Sequence, residues 1–366
     1  MTERQRRVNS CSETFDVTTF GEAMLRYLPI ERPSSASSKG YPSEVGEYFL
    51  RTVGGAEVNV SVALAQLGKP TSWASILPEG ALGDKAVHEI KKAGVNMRWC
   101  QRTANMEMGT YYLLKDQPTP HYQRSNSAFS RMRTGTFDLF SIVSSTRWLH
   151  LTGITPMLGE TPKATWLSFL EQAKALEVPV SIDLNHRPAL SSLGELLYIV
   201  APYLSSVELL ILSSSTAVTI AKSKLSGWKE LSDEEVLGDE RLASRLREEL
   251  KCKSLAISCS NHLDGNEQAR WSTVASCKGS VSTYSTRTPS KLVEHLGGGD
   301  AWVAGFLHVI LNTESSPSVS GIEDMGVLKK AAHRGDTLAS LAQTKLGDFS
   351  SVRLDELEAE EARRCQ

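Results

Sequence analysis

The chain lacks the features that mark membrane proteins and nucleic-acid-binding proteins. No apolar run approaches the length of a membrane span. The 40 basic and 42 acidic residues give a formal net charge of -2, so the surface has no general attraction for nucleic acid or anionic membrane. We therefore expect neither a nucleic acid nor a membrane among the partners of this protein.

Cysteine is sparse and scattered. The six cysteines among the 366 residues form no C-x-x-C pair, which argues against a zinc site. The first ten residues are basic and polar and lack the apolar core of a secretory signal. These observations favour a reducing, cytoplasmic setting. They also predict a disordered N-terminal tail over residues 1–14.

The two commonest nucleotide-binding motifs are missing as well, although a glycine-rich loop is present. Gly297, Gly298 and Gly299 lead into Asp300 and an apolar helical pattern. No Lys-Ser or Lys-Thr follows, as a Walker A loop requires, and the spacing differs from the dinucleotide fingerprint. Glycines before a helix start nevertheless expose backbone N–H groups to an anion. A carboxylate beside that site can take a proton from an attacking hydroxyl, as phosphoryl transfer to an alcohol requires.

Asp300 also has a simpler interpretation. Aspartate is a favoured helix N-cap, and glycine-rich turns before helices are common. The sequence therefore leaves two roles open for Asp300, general base or cap.

The order of elements predicts an α/β fold. Strand patterns such as residues 209–212 alternate with helical patterns such as residues 161–176, which is typical of a doubly wound, mainly parallel sheet with helices on both faces. Residues 109–115 and 121–127 break this alternation and predict an antiparallel hairpin. With residues 48–53 they can form a small separate sheet.

Asp183, Asn185 and Arg187 follow one another at every second position where a predicted strand ends. In an extended chain their side chains point to one face, at the edge of an α/β sheet where ligands bind. The guanidinium of Arg187 suits a carboxylate or a phosphate. The alternative is a surface ion pair between Asp183 and Arg187, with Asn185 in a turn.

The pair Gly54 and Gly55 precedes a predicted helix, where a polyol can approach the backbone closely. Asn59, one turn further on, can hydrogen-bond a hydroxyl, or it can simply bond the backbone.

The predicted hairpin carries Tyr111 on its first strand and Tyr122 and Arg124 on one face of its second. Aromatic edges and an arginine can clamp an acidic sugar. An exposed Tyr–Arg surface pair is the competing interpretation.

Taken in order, these motifs resemble the ribokinase-like sugar kinases of the phosphofructokinase-B type. The similarity runs from about residue 16 to about residue 357. Within that family, four segments and the closing residues 347–349 are most similar to the branch that phosphorylates 2-keto-3-deoxygluconate. The four segments are residues 21–26, 122–128, 151–156 and 297–300.

The resemblance implies a kinase domain over residues 15–357, with lid segments at about 26–53 and 106–127 and a charged tail at 358–366. It implies ATP with Mg²⁺ as cofactor, a sugar acid as substrate, and, because the lid often pairs subunits in this family, it leaves a homodimer or larger assembly open. A monovalent cation is also left open.

The roles implied by the resemblance cover three groups of residues. Asp300 is the general base and Gly297, Gly298 and Gly299 form the anion hole. The substrate-binding residues are Gly54, Gly55, Asn59, Tyr111, Tyr122, Arg124, Asp183, Asn185 and Arg187. The nucleotide-binding residues are Ser258, Gly265, Gly299 and Ala339.

Two departures from the family pattern concern the metal. Ser213 and Thr216 stand where relatives carry an Asn-x-x-Glu motif, and Glu294 stands where relatives usually have Asp. We therefore expect no protein metal site, with Mg²⁺ held mainly through the nucleotide phosphates and helped by Glu294.

Three functions remain open on this basis. The first is an ATP-dependent kinase of 2-keto-3-deoxygluconate or a similar sugar acid, forming the 6-phosphate. The second is a kinase of a neutral sugar such as fructose or ribose, against which Arg124 and Arg187 argue because they would be unpaired without a substrate carboxylate. The third is a catalytically weakened protein that binds a sugar acid.

Overall fold

The computed structural model describes residues 13–30, 48–114, 117–263, 267–284, 286–288, 292–294, 296–312 and 320–364. Most of the predicted N-terminal tail, part of the first lid segment and Gly265 lie outside the described residues. No helix in the described ranges is long and apolar enough to cross a membrane.

The strands are numbered in chain order. They are β1 (Val17–Phe20), β2 (Met24–Ile30), β3 (Tyr48–Gly54), β4 (Thr71–Pro78), β5 (Cys100–Thr103), β6 (Thr110–Leu114), β7 (Gln117–Gln123), β8 (Leu149–Thr152), β9 (Val180–Asp183), β10 (Leu209–Ser213), β11 (Leu255–Leu263), β12 (Glu267–Ser276), β13 (Gly279–Ser282) and β14 (Thr286–Arg287).

The α-helices are numbered in the same way. They are α1 (Ala56–Gln66), α2 (Ala81–Lys92), α3 (Leu139–Ser144), α4 (Glu160–Ala175), α5 (Leu193–Val200), α6 (Ser214–Lys224), α7 (Asp233–Gly238), α8 (Leu242–Leu250), α9 (Gly298–Ile310), α10 (Ser320–Glu323), α11 (Met325–Ala342) and α12 (Leu354–Arg364). Two short 3₁₀ helices follow β8 and α5, at Thr155–Met157 and Ala201–Ser206.

A large sheet forms the body of the molecule. Its strand order is β13-β12-β11-β10-β9-β8-β1-β4-β5, with β14 paired to β12. The strands from β11 to β5 run parallel, and β12 adds an antiparallel edge. Leu209–Leu212 of β10 are buried, as expected for a strand with helices on both faces. The predicted doubly wound fold is confirmed.

A separate four-stranded sheet, the lid sheet, has the order β3-β2-β6-β7. The antiparallel hairpin predicted from the tyrosine-containing segments is confirmed as β6 and β7. Strand β2, which was not predicted as a lid strand in its own right, joins β6 in parallel and places Arg26 beside Tyr111. The lid sheet thus brings residues from two distant parts of the chain next to each other.

Helix α9, whose first turn carries Asp300, lies in the core against α1 and α11. Its residues from Asp300 to Ile310 are buried, and Trp302 stacks on Phe306 with ring centroids 5.1 Å apart. A side chain at Gly305 would place its Cβ 2.7 Å from the backbone oxygen of Arg334 on α11. This close packing fixes the start of α9 relative to the large sheet.

The charged C-terminal segment expected at residues 358–366 is helical as far as the structure describes it. Residues 358–364 form the end of α12. Glu360 is buried, and Glu361 forms an ion pair of 2.6 Å with Arg334 of α11. The charge of this segment therefore serves packing against the domain.

Candidate active site

A cavity of about 700 Å³ is bordered by the lid sheet, by the starts of α1 and α9 and by the segment after β9. It brings together eight of the residues predicted to form the site. These are Gly55, Asn59, Tyr111, Tyr122, Arg124, Arg187, Gly297 and Asp300. Gly54, Asp183, Asn185, Gly298 and Gly299 lie beside the cavity in sequence but do not line it.

Asp300 is not a helix cap. Helix α9 begins at Gly298 and its N-cap is Gly297, so Asp300 lies inside the first turn. Its Oδ2 accepts a hydrogen bond of 2.7 Å from Nδ2 of Asn59. The other end of the Asn59 amide accepts from the backbone N–H of Gly55 at 3.3 Å. Asn59 therefore does bond the backbone, as the simpler interpretation proposed, and at the same time it orients Asp300.

The environment of Asp300 suits a base that works near neutral pH. Burial raises the pKa of its carboxyl to about 7, and the charges of Asp183 and Asp348 act in the same direction. The hydrogen bond from Asn59 and the charge of Arg187 lower the pKa without cancelling this rise. A general base is most effective when its pKa lies near the working pH.

The backbone of the glycine loop packs closely against two neighbouring residues, Asp348 and Arg270. Gly297 has a left-handed conformation with φ of 75°, and a Cβ there would lie 2.9 Å from the backbone oxygen of Asp348. A Cβ on Gly298 would collide with the guanidinium of Arg270, whereas Gly299 is open and exposed. The N–H groups of a first helical turn have no partner within the helix. The start of α9 can therefore receive an anion next to Asp300.

Arg124 is engaged by a carboxylate of the protein itself. Its Nε donates to Oε2 of Glu22 at 2.7 Å, and Glu22 is 3% exposed. The argument that Arg124 would be unpaired without a substrate carboxylate is therefore wrong. Because Glu22 follows β1 and is buried beside the lid, its negative charge needs a nearby cation. Arg124, directly after β7, supplies that cation. Arg124 also lies over the ring of Tyr122, 5.8 Å from its centroid.

The predicted alternation of Asp183, Asn185 and Arg187 on one face is wrong. Strand β9 ends at Asp183, and Asn185 adopts φ of 40°, which breaks the extended chain. The backbone N–H of Asn185 donates to Oδ1 of Asp183 at 3.0 Å. Asp183 is turned inward, and burial raises its pKa to about 6.

Arg187 alone of these three residues reaches the cavity. It is exposed, and it forms no ion pair within the described part of the chain, so the predicted surface pair with Asp183 is also absent there. Its charge nevertheless lowers the pKa of both Asp183 and Asp300. Arg187 is thus a cation at the cavity without a carboxylate partner.

Four carboxylate residues that border the cavity were not predicted as site residues: Glu22, Glu57, Glu107 and Asp348. Oε1 of Glu57 accepts from the hydroxyls of Thr152 and Thr155 at 2.7 and 2.8 Å. Burial raises the pKa of Glu57, which those two hydrogen bonds partly offset. An acidic residue inside a helix that is otherwise small and apolar was the available signal for Glu57.

Asp348 accepts hydrogen bonds from the hydroxyl of Tyr111 and, at 2.7 Å, from Nη1 of Arg26. The same guanidinium forms an ion pair of 2.6 Å with Glu294. The carboxylate of Glu294 is therefore buried against Arg26, and its expected help in holding the metal stays a prediction.

The residues expected to bind the nucleotide are less well grouped. Ser258 of β11 is half-buried and lies in register with Ser213 at the end of β10. Ala339 is fully buried in the apolar core under α11, so its side chain is not available to a ligand. Gly265 lies outside the described residues.

Ser213 and Thr216 have a structural role. Ser213 caps α6: its Oγ accepts from the backbone N–H of Thr216 at 3.3 Å and donates to Oγ1 of Thr216 at 2.9 Å. In the described ranges, no group of three or more histidine, cysteine, aspartate or glutamate side chains is placed to hold a metal ion.

The family of the chain follows from comparison with known proteins. A model of the pfkB family of carbohydrate kinases matches residues 14–353. The chain belongs to this family. It is a carbohydrate kinase with a ribokinase-like fold.

The relatives of the kinase include enzymes for sugar acids and for neutral sugars. A 2-dehydro-3-deoxygalactonokinase of Haloferax volcanii is 27% identical over 352 residues, which cover 94% of this chain and 96% of that protein. A probable fructokinase-5 of Arabidopsis thaliana is 25% identical and covers 92% and 94%. The crystal structure of a 2-dehydro-3-deoxygluconokinase from Thermotoga maritima has a TM-score of 0.77 at 25% identity and covers 94% and 99%.

Proposed function

We propose that the kinase transfers the terminal phosphoryl group of ATP to the 6-hydroxyl of a 2-keto-3-deoxy sugar acid, with 2-keto-3-deoxygluconate as the substrate. The observation that carries this proposal is a cavity with a buried base, Asp300, and an exposed arginine, Arg187, that has no ion pair among the residues described. The names of two relatives, which act on 2-dehydro-3-deoxy sugar acids, support it.

In this proposal each group has one step. The substrate hydroxyl gives its proton to Asp300 while its oxygen attacks the terminal phosphorus, and the bond from that phosphorus to the ADP oxygen breaks. The first turn of α9 and the glycine loop stabilise the negative charge that develops on the phosphoryl oxygens. Asn59 holds Asp300 toward the cavity, and its hydrogen bond limits the rise in the pKa of that carboxyl.

Kinases of this family use ATP. The nucleotide is proposed to lie along the carboxyl ends of β10 and β11, beside Ser258. Mg²⁺, when bound, would neutralise charge on the phosphates. Since the described residues provide no metal cluster and Glu294 is paired with Arg26, the phosphates supply most of the metal ligands in this proposal.

Arg187, not Arg124, is proposed to bind the substrate carboxylate. Arg124 is neutralised by Glu22, whereas Arg187 has no ion pair with the described residues and can pair with an incoming anion. In this arrangement Tyr111 and Tyr122, whose ring centroids lie 5.6 Å apart, border the sugar.

A neutral sugar is the second candidate substrate. The Glu22–Arg124 pair removes one of the two objections to it, because, of the two arginines, Arg187 alone lacks an ion pair with the described residues. The similarity to a probable fructokinase also favours it. The substrates differ by one negative charge, so Arg187→Ala separates them.

The test is a coupled ADP-release assay with a panel of sugar acids and neutral sugars, with and without Mg²⁺. For the sugar acid, we expect Arg187→Ala to raise KM by about 10- to 100-fold, because a charged hydrogen bond contributes about 1.5–3 kcal/mol. Arg124→Ala is the matched control and should change KM less. Equal losses on acid and neutral substrates would contradict the assignment, and turnover of fructose alone would favour the second candidate. Binding of the sugar acid without turnover would indicate a catalytically weakened protein.

A further inference from the structure

Arg26 is a buried cation that borders no part of the cavity. It lies on β2 of the lid sheet and is 0% exposed. Its Nη1 donates to Oδ1 of Asp348 at 2.7 Å, and its Nη2 donates to Oε1 of Glu294 at 2.8 Å. The guanidinium therefore bridges two carboxylates that come from segments 268 and 322 residues further along the chain.

Both partners of Arg26 hold the glycine loop. Oε1 of Glu294 accepts from the backbone N–H of Leu296 at 3.1 Å, and Oε2 accepts from that of Gly347 at 3.4 Å. The backbone oxygen of Asp348 packs against Gly297, the residue that opens the loop. The anion-binding turn is thus held by the carboxylate of Glu294 and by the backbone of Asp348, whose own carboxylate is fixed by Arg26.

The two carboxylates cannot remain in place without a cation. They are buried side by side, and each raises the free energy of the other's charge. Burial and the charge of Glu294 raise the pKa of Asp348, whereas Arg26 and the hydroxyl of Tyr111 lower it. Burial alone would lower the pKa of Arg26. The carboxylates of Glu294 and Asp348 outweigh this effect and raise the pKa, so the guanidinium stays charged.

We propose that Arg26 is a positioning residue for phosphoryl transfer: from the lid sheet, its guanidinium holds Glu294 and Asp348 and thereby fixes the glycine loop that stabilises the charge on the phosphoryl oxygens, a role that rests on the proposed kinase mechanism. Tyr111 lies beside Arg26 in the lid sheet and also bonds Asp348. The lid and the anion site are therefore joined through one buried carboxylate, and a displacement of the lid is transmitted to the loop.

The test compares Arg26→Gln, Arg26→Lys and Arg26→Ala with the wild type, using the sugar that the wild type turns over best. The outcome thus does not depend on which sugar that is. We expect kcat to fall by about 10- to 100-fold in Arg26→Gln, since a misplacement of about 1 Å can cost about 10²-fold. Sugar affinity, measured by calorimetry without nucleotide, should change less than kcat. Arg26→Lys should be intermediate, because an ammonium cannot bridge two carboxylates as a guanidinium does.

Chemical rescue and a matched control separate positioning from stability. Guanidinium at concentrations too low to unfold the protein should restore kcat in Arg26→Ala in a saturable way. Arg364→Gln removes another largely buried arginine, which pairs with Glu360 at 2.9 Å within α12, away from the cavity, and should lower the unfolding midpoint with kcat unchanged. The proposal is overturned if Arg26→Gln keeps kcat within about twofold of the wild type, whether or not its unfolding midpoint falls as in Arg364→Gln.

Discussion

Asp300 is a carboxylate whose burial sets the pH at which it can accept a proton. Because its pKa is about 7, we expect kcat/KM to fall as the pH drops below neutrality. Asn59→Ala removes a hydrogen bond that lowers this pKa, so the acid limb of the profile should move to higher pH. Asp300→Asn should reduce turnover by about 10²–10⁴-fold. Sugar binding should be largely kept.

The measurement is a pH–rate profile for the wild type and Asn59→Ala, with sugar affinity from calorimetry. A profile that is flat between pH 5 and 8 would show that Asp300 is not the base. Near-wild-type turnover in Asp300→Asn would lead to the same conclusion.

Asp300 should also reduce stability at alkaline pH. Its pKa is higher in the folded protein than the ordinary 3.8, so folding opposes its ionisation, and the cost appears as the pH rises from about 4 through 7. Asp300→Asn removes this cost. We therefore expect it to raise the unfolding midpoint, and to raise it more at pH 8 than at pH 5.

Asp239→Asn is the control for this stability prediction. The hydrogen bond with Arg241 lowers the pKa of Asp239, so its charge favours the folded state. Thermal unfolding at the two pH values should show no gain for Asp239→Asn. A gain of equal size in both variants would mean that the effect is not due to burial of the Asp300 charge.

The sequence identified residues whose chemistry is local to a motif. Asp300, Asn59 and Arg187 reach the cavity because each lies at the start of a helix or after a strand that ends at one edge of the sheet. The pairing of Arg124 with Glu22 could not be predicted, because it joins residues 102 positions apart. Nor could the turn at Asn185, where a single positive φ changes which side chains share a face.

Among the elements, α9 depends on close approach to α11. A Cβ at position 305 would lie 2.7 Å from a backbone oxygen of α11, and neither backbone can move without shifting a core helix. We expect Gly305→Ala to lower the free energy of unfolding by about 1–3 kcal/mol, as overpacking of a core does. Because the start of α9 carries the base, kcat should fall as well.

Gly194→Ala is the matched control for this element. Gly194 lies in the first turn of α5 with nothing within 4 Å of an added Cβ, so the change should be neutral or stabilise the protein by about 0.4–1 kcal/mol. Denaturant unfolding and steady-state kinetics of both variants provide the comparison. Equal stability of the two would show that the helices can separate without cost.

The strands and helices were predicted best where their hydrophobic residues recur with a clear period. The tyrosine-containing hairpin and the apolar strand β10 follow directly from alternation and from burial on both faces. The charge of the C-terminal segment predicted a tail, and the structure shows that an ion pair with α11 holds the end of α12 on the domain.

At the scale of the whole molecule, the fold brings the two ends of the chain to one site. Arg26 and Asp348 lie 322 positions apart and are in direct contact. Strand–helix alternation predicts the sheet, and the resemblance predicts the family. The ion pairs Arg124–Glu22 and Arg26–Glu294 are tertiary contacts. They determine which charged side chains remain available to a ligand, and no local sequence pattern contains them.

The nucleotide side of the molecule carries the last prediction. Ser213 caps α6 by accepting from the backbone N–H of Thr216, at the two positions where the family resemblance implies an amide and a carboxylate, and Glu294 is held by Arg26. Because the described residues hold no cluster of metal-binding side chains, activity should need more Mg²⁺ than a kinase that has the motif, since a hard cation prefers carboxylate oxygens. Ser213→Asn keeps a capping residue, and Thr216→Glu adds the missing carboxylate.

Together these two changes should shift the Mg²⁺ dependence of turnover to lower concentration. The measurement is a Mg²⁺ titration of kcat at saturating sugar and ATP for the wild type, Ser213→Asn alone and the double variant. Ser213→Asn alone should leave the curve in place, because the carboxylate is the stronger ligand. Superimposable curves for all three proteins at high turnover would mean that other groups already hold the metal, and the assignment of this helix start to the metal would then be wrong.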